Sequence, residues 1–314
     1  MLQTIDWHAR AKSVQLPNRP FIDGQYVDSV SNETFACVYP GDGRLLTQVA
    51  SCNEADVDRA VRSARKAFNA GVWSRMAPAD RRKILLRFSE LILANREELA
   101  LLETLNVGKP IANAFNGDVV SAANCIAWYA EAIDKVYGEV AATAHEMTTL
   151  VVREPLGVVA AVVPWNYPLA LTLMPLAFAA SAGPWNYPMS MAAWKLGPAL
   201  ATGNSVVLKP AEQSPFTALK FGELAIEAGL PAGVLNVVPG LGHIAGKALG
   251  LHMDVDCVGF TGSTEVGKYF MQYSGQSNIK RIGLELGGKS PQVVLADCDD
   301  LDAAAAGVAA GIFA

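Results

Sequence analysis

Cys257-Val-Gly-Phe-Thr-Gly-Ser-Thr-Glu-Val-Gly267 sets a short apolar run against a glycine- and hydroxyl-rich turn, with helix-forming residues after it. The same arrangement occurs earlier in the chain. Ser205-Val-Val-Leu208 precedes a helix predicted over about 214–228, and Val234-Leu-Asn-Val-Val238 precedes a Gly-rich turn and a helix from about His243. Strand, turn and helix repeated in this order predict an α/β fold, a parallel sheet with helices on both faces. Ligands on such sheets sit beyond the carboxyl ends of the strands, so the turns are where chemistry is to be sought.

Upstream of Gly138 the texture is different. Phe21-Ile-Asp-Gly-Gln-Tyr-Val27 reads as a hairpin around an Asp-Gly turn. Val57, Ala60, Val61, Ala64 and Phe68 recur at helical steps, with Asn53 as the N-cap. A second helix follows Pro78, with Ile84, Leu85, Phe88, Leu91 and Ile92 inward and Arg81, Arg82 and Lys83 outward; further helices are expected at Arg96–Asn106 and Val119–Tyr137. These stripes are core packing. Beyond Gly138, Met147–Val152 and Val158–Val163 are β-branched runs separated by Arg153-Glu-Pro-Leu-Gly157.

Composition narrows the function classes. The chain has 314 residues, half of them apolar, and a net charge of −5 without a basic block, which argues against nucleic acid or an anionic membrane as partner. Its most apolar stretch, Leu169–Gly183, has 15 residues and contains Pro175. A membrane span needs about 20. Five cysteines (Cys37, Cys52, Cys125, Cys257, Cys298) are dispersed, with no metal-ligand spacing and no apolar leader at the N-terminus, so a cytoplasmic protein is expected.

Three turns carry candidate chemistry. Phe260-Thr-Gly-Ser-Thr-Glu-Val-Gly267 opens a helix, so its backbone N–H groups and the helix dipole can hold a pyrophosphate, although its glycines also suit a plain turn. Lys209-Pro-Ala-Glu212 follows a strand and is either a solvated pair or a ribose contact. In the latter case the Glu212 carboxylate would repel a 2′-phosphate. Leu284-Glu-Leu-Gly-Gly-Lys-Ser290 places Glu285 among apolar neighbours, where desolvation would tune it as a general base; a capping or surface role is the alternative.

Pro184-Trp-Asn-Tyr-Pro188, Lys209-Pro-Ala-Glu212, Phe260-Thr-Gly-Ser263 and Glu285-Leu-Gly-Gly-Lys289 stand in the order and spacing of signatures of the NAD-dependent aldehyde dehydrogenase superfamily, which the chain resembles from about Phe21 to Ala314. Leu102-Glu-Thr-Leu-Asn-Val-Gly-Lys-Pro110 and Trp128-Tyr-Ala-Glu-Ala-Ile-Asp-Lys-Val-Tyr-Gly138 are most similar to the γ-glutamyl-γ-aminobutyraldehyde dehydrogenase branch.

The resemblance implies an oxidoreductase that converts an aldehyde to a carboxylate through a thiohemiacetal and thioester. Its cofactor would be NAD, its substrate a small amino- or γ-glutamylamino-aldehyde, and its assembly a homo-oligomer. It assigns Glu285 as general base and the side-chain amide of Asn186 to the oxyanion. Lys209 and Glu212 would hold the adenosine ribose, with Trp185, Gly242, Gly246, Phe260, Gly262, Ser263, Leu286 and Gly287 around the cofactor. It divides the chain into a Rossmann-like dinucleotide-binding domain (1–139 and 158–287), a bridging, oligomerisation hairpin (140–157) and the start of a catalytic domain (288–314). The nucleophilic cysteine is expected a few residues past Ala314; Cys298, flanked by three acids, is an unfavourable thiolate. The rival expectation is a catalytically inactive dinucleotide-binding fragment.

One departure stands inside the chain. Pro164-Trp-Asn-Tyr-Pro168 recurs as Pro184-Trp-Asn-Tyr-Pro188, which opens the oxyanion assignment to Asn166 as well as Asn186. The intervening Leu169-Ala-Leu-Thr-Leu-Met-Pro-Leu176 is similar to the equivalent helix of another branch, so the pair resembles a splice of two homologous elements. Each large apolar side chain left in water forgoes about 1.5–3 kcal/mol. Four or five of them rival the whole stability of a domain, about 5–15 kcal/mol. Deleting Pro164–Gly183, which joins Val163 to Pro184, is therefore expected to raise the thermal midpoint and solubility. An unchanged or lower midpoint in thermal denaturation would mean that the insert is accommodated.

Overall fold

The computed structural model describes residues 5–164, 188–289 and 291–313. Trp185, Asn166, Asn186 and the apolar segment Leu169–Gly183 fall outside them.

Helix α1 (Trp7–Ser13) is capped by Asp6, whose side chain accepts from the Ala9 N–H. The expected hairpin is β1 (Phe21–Ile22) and β2 (Gln25–Tyr26). Asp23 and Gly24 both have positive φ, 55° and 82°, as a tight turn matched to strand twist requires. Strands β3 (Thr34–Val38) and β4 (Leu45–Ala50) form a separate antiparallel ribbon.

Four longer helices follow one another in the first half: α2 (Glu54–Ala70), α3 (Pro78–Ala94), α4 (Arg96–Val107) and, after the short α5 (Ile111–Asn113), α6 (Val119–Ala132). Two details differ from expectation. Helix α6 ends at Ala132 and tightens into a 3-10 turn over Ile133–Lys135 instead of reaching Tyr137. Ile133 is its last core side chain, and Val136 and Tyr137 are exposed, so a longer helix would gain no burial. Arg81 and Arg82 are half-buried and not fully outward. The Arg81 guanidinium donates to the Met76 carbonyl at 2.6 Å, and Arg82 reaches across to Glu131 on α6 at 2.7 Å.

The hairpin β5 (Glu139–Ala141) and β6 (Thr149–Val151) stands out as its own exposed antiparallel pair. After it the alternation begins: β7 (Val158–Val162), α7 (Pro188–Ala201), β8 (Ser205–Lys209), α8 (Phe216–Glu227), β9 (Leu235–Val237), α9 (Lys247–Leu251), β10 (Cys257–Thr261), α10 (Thr264–Gly275), β11 (Arg281–Glu285) and α11 (Leu301–Phe313). The helix expected from His243 opens as a wide π turn over Gly242–Gly246.

The main sheet has seven strands in the order β11-β10-β7-β8-β9-β1-β2. β7 to β11 pair in parallel, and β1 adds antiparallel to β9, so the hairpin extends the parallel sheet at one edge. Alternate side chains of the strands serve two cores. Val159, Ala161, Val206, Leu208 and Val237 pack with α3, α6, α7 and α8. Val158, Ala160, Val162, Val207 and Val258 pack with α2, α9 and α10. Both faces are thus covered, as the doubly wound reading requires. Among the described residues no helix is long and apolar enough to cross a membrane.

A fully buried carboxylate fixes the entry to α2. Asp56 accepts from the Val30 N–H at 2.7 Å and from the Asn53 N–H at 3.1 Å, while the Asn53 side chain accepts from Asp56 N–H in return. Asp56→Ala strands two donors and is expected to cost about 2–4 kcal/mol in urea denaturation. Asn53→Ala should cost about 1 kcal/mol. Equal, small losses for both would contradict this account of the cap.

Candidate functional site

The sheet reverses its winding at β7. The chain leaves β7 for β8 on one side, and later returns to place β10 on the other. A crevice opens at such a point beyond the strands' carboxyl ends, because the turns above neighbouring strands lead in opposite directions. A cavity of about 440 Å³ lies there, walled by residues at or just after the ends of all five parallel strands. Lys209, Glu212, Gly242, Gly246, Phe260, Gly262, Ser263, Glu285, Leu286 and Gly287 all line it. Sequence reasoning nominated every one of them. The nominated Trp185 and the two asparagines lie outside the described residues.

Lys209 closes β8 with its ammonium almost wholly buried, donating to the Pro210 carbonyl at 2.9 Å and lying 3.5 Å from Glu212. Burial pulls the lysine below its usual range, opposed by the Glu212 charge. Burial pushes the Glu212 carboxyl up, but Lys209 and the Gly242 N–H outweigh it, and the group is held below the usual carboxylate range. That N–H donates to Glu212 Oε1 at 2.9 Å. Glu212 is therefore a fixed anion spanning the turns after β8 and β9.

The glycines leave room for a ligand. A Cβ on Gly242 would meet nothing nearer than Glu212 Oε1 at 3.6 Å, and one on Gly246 nothing nearer than Phe270 at 4.0 Å. Side chains there would stand in the open cleft. Gly262 donates to the Glu285 carbonyl at 3.0 Å, which ties the turn after β10 to the end of β11. Ser263 caps α10, its Oγ accepting from the Val266 N–H at 3.2 Å. The hydroxyl proton stays available to an anion at this helix N-terminus. The opening of α10 fits closely under Leu286, where a Cβ on Gly267 would come within 2.6 Å.

Glu285 departs from expectation in one respect. It sits in the cleft but is exposed, because β11 is the edge strand of the sheet among the described residues. Two cleft neighbours escaped the sequence reading. Gln213 follows Glu212 in the wall. Lys195 projects from α7 under Gly259 of β10, whose Cβ would lie 3.9 Å from its Nζ. Burial pulls Lys195 down to about 8, with the Glu285 charge opposing the shift. The signal for it was present: a lone lysine in the apolar run Met191-Ala-Ala-Trp-Lys-Leu196.

No cysteine of the chain stands among the residues that wall the cavity. Burial pushes the Cys37 thiol up to about 11 and that of Cys125 up to about 12. Cys257 begins β10, at the end of the strand away from the cleft, and Cys298 lies in the turn before α11, its thiol donating to the Asp300 carbonyl at 3.5 Å. Among the described residues no group of three or more His, Cys, Asp or Glu could hold a metal.

The sequence profile described as "Aldehyde dehydrogenase family" matches residues 26–184 and again 173–314. This chain belongs to the aldehyde dehydrogenase family. The two matched segments overlap over residues 173–184. The chain is 50% identical over 307 residues to the NADP/NAD-dependent aldehyde dehydrogenase PuuC of Escherichia coli, covering 98% of this chain and 58% of that protein. It is 46% identical to an aminoacetaldehyde dehydrogenase of Pseudomonas aeruginosa, covering 100% and 59%.

Among solved aldehyde dehydrogenases, the γ-glutamyl-γ-aminobutyraldehyde dehydrogenase of Burkholderia cenocepacia superposes with a TM-score of 0.87 at 56% identity, over 96% of this chain and 57% of that one. A P. syringae indole-3-acetaldehyde dehydrogenase, solved with NAD+ and IAA, gives 0.88 at 56% identity over 96% and 57%. This family member thus spans somewhat under two thirds of the relatives it matches.

Lys195 has a measurable consequence. Its folded-state pKa lies below that of an unfolded lysine, so the unfolded chain keeps its proton longer as pH rises. Stability from this group is lowest below about pH 8 and is gained as pH rises from about 8 towards the unfolded value. In parallel denaturation curves, Lys195→Met is expected to be more stable than the parent at pH 7, the gap closing towards pH 10. A gap that stays constant with pH would contradict a buried ammonium.

Proposed function

We propose that this chain binds NAD in the cleft above β7 and supplies the cofactor site and general base for oxidation of an aldehyde to a carboxylate. The single observation supporting this reading most strongly is that all ten nominated residues within the described regions line one cavity. The glycine cradle, the anion-binding turn at Ser263 and the fixed carboxylate of Glu212 suit, in turn, pyrophosphate and a ribose diol. NAD, when bound, supplies the acceptor for hydride from the aldehyde carbon.

The chain's own residues have distinct tasks in this reading. Glu212 accepts from the adenosine ribose hydroxyls with Lys209 beside it, and Gly242 and Gly246 let the ligand approach backbone. Ser263 directs its O–H donor at the pyrophosphate beside Gly262, with Phe260, Leu286 and Gly287 in the cavity wall, and Trp185 is assigned to the cofactor with them. Glu285, on the edge strand with Lys195 behind it, takes the proton of the water that hydrolyses a thioester. Asn186, or its counterpart Asn166, donates its amide to the oxyanion. The thiol of the thiohemiacetal is assigned to none of the five cysteines present, which lie outside the cavity wall.

We assign residues 1–139 and 158–287 to the dinucleotide-binding domain, the hairpin region 140–157 to bridging between subunits of a homo-oligomer, and 288–314 to the beginning of a catalytic domain. Amino- or γ-glutamylamino-aldehydes are the proposed substrates, in line with the names of the P. aeruginosa and B. cenocepacia relatives. The five free thiols agree with a cytoplasmic setting.

The charge of Glu212 gives the sharpest expectation. NADP should bind at least about ten-fold more weakly than NAD in calorimetry, a difference of about 1.4 kcal/mol. Glu212→Gln, which keeps an acceptor for the Gly242 N–H but removes the charge, should narrow the gap. Equal affinities in the unmodified chain would overturn the role of Glu212.

A further inference from the structure

Helices α7 and α8 flank β8 in the chain, and each is entered through a proline. Pro188 opens α7, and Pro215 stands at the N-cap of α8 without any side-chain cap. Proline has no N–H, so the first donors are those of Met189 and Phe216. Both residues are fully buried, out of reach of water. A helix end buried without partners is strongly disfavoured.

Both donors are met by one helix. Glu103 on α4 accepts from the Met189 N–H at 3.1 Å, and Asn106 on α4 accepts from the Phe216 N–H at 3.0 Å. Positions 103 and 106 are one turn apart and share a face of the helix. Each side chain is itself held. The second Glu103 oxygen accepts from Thr217 Oγ1 at 3.0 Å, and the Asn106 amide donates to Cys37 Sγ at 3.5 Å. Both are buried, Glu103 completely.

We propose that Glu103 and Asn106 are positioning residues, which cap α7 and α8 from a neighbouring helix and so set where each of these helices begins. Neither touches the cavity. Glu103 acts through α7, which carries Lys195 to Gly259 and Glu285. Asn106 acts through α8, whose start fixes the end of the Lys209–Gln213 wall. Burial, with the Asp118 charge beside it, pushes the Glu103 carboxyl up to about 8. A neutral acid at this place is well imitated by glutamine, which can accept from Met189 and donate to the Thr217 hydroxyl. Leucine can do neither.

Amide hydrogen exchange on the full chain separates this from a general role in stability. Glu103→Leu should speed exchange across Met189–Ala193 by at least about ten-fold while leaving Phe216–Phe221 within about two-fold of the parent. Asn106→Leu should do the reverse, and Glu103→Gln should restore parental exchange at α7. If Glu103→Leu fails to fold, Asn106→Leu carries the test at α8, with exchange across Met189–Ala193 staying within about two-fold of the parent. Uniform acceleration in every helix, or a Glu103→Gln variant as fast as Glu103→Leu, would overturn the proposal. The consequence for the site rests on the cofactor reading. Asn106→Leu should weaken NAD by about ten-fold, whereas Glu103→Gln should not. Absence of NAD binding to the unmodified chain would count against the cofactor reading and leave the exchange result intact.

Discussion

β7 is bonded along its length to β8 on one side and β10 on the other, and those two neighbours are reached by connections that leave in opposite directions. Two helices cannot both start above the same gap, so a crevice remains at the carboxyl end of β7. Everything assigned to the site follows from this. The crevice takes one turn from each of five parallel strands. It therefore collects Lys209, Gly242, Ser263 and Glu285 from positions that are far apart in the chain. The central strands can be apolar throughout because helices cover both faces, and their alternate side chains feed two separate cores.

The legible part of the structure is the part where local chemistry and tertiary demand agree. The Asp23-Gly24 turn, the Asn53 cap and the strand-turn-helix order were readable because each needs particular residue types at fixed offsets. The cleft-lining residues were readable as members of family signatures, and geometry then brought them together. What escaped the reading depended on contacts between distant segments. The early end of α6 reflects where its apolar stripe stops meeting a partner. The half-burial of Arg82 reflects the approach of α6 to α3, and that of Arg81 its bond to the Met76 carbonyl just before α3. Antiparallel addition of β1 to β9 has no local signal at all. Glu285 lines the cleft but is exposed and not in an apolar setting, since the sequence does not say that β11 is the edge strand. Lys195 was visible only as a charge in an apolar run, and its proximity to Glu285 is a tertiary fact.

Hydrogen bonds of polar groups, some buried and some at the cleft, connect these layers. Asp56 ties α2 to the segment after the first hairpin, Glu212 ties the turn after β8 to the turn after β9, and Gly262 ties β10 to the end of β11. Glu103 and Asn106 extend the same logic to the two helices that support the site. A buried donor left without an acceptor costs about 1–3 kcal/mol, so each connection restricts where its turn can sit. The cleft is shaped by these few obligatory bonds as much as by apolar packing.

A crystal structure of the chain grown with NAD tests the central claim most directly. The account predicts the adenosine ribose hydroxyls on the Glu212 carboxylate, within about 3 Å. It also predicts the pyrophosphate over Gly262 and Ser263. A dinucleotide bound elsewhere, or in this cleft with its ribose away from Glu212 and Lys209, would contradict it.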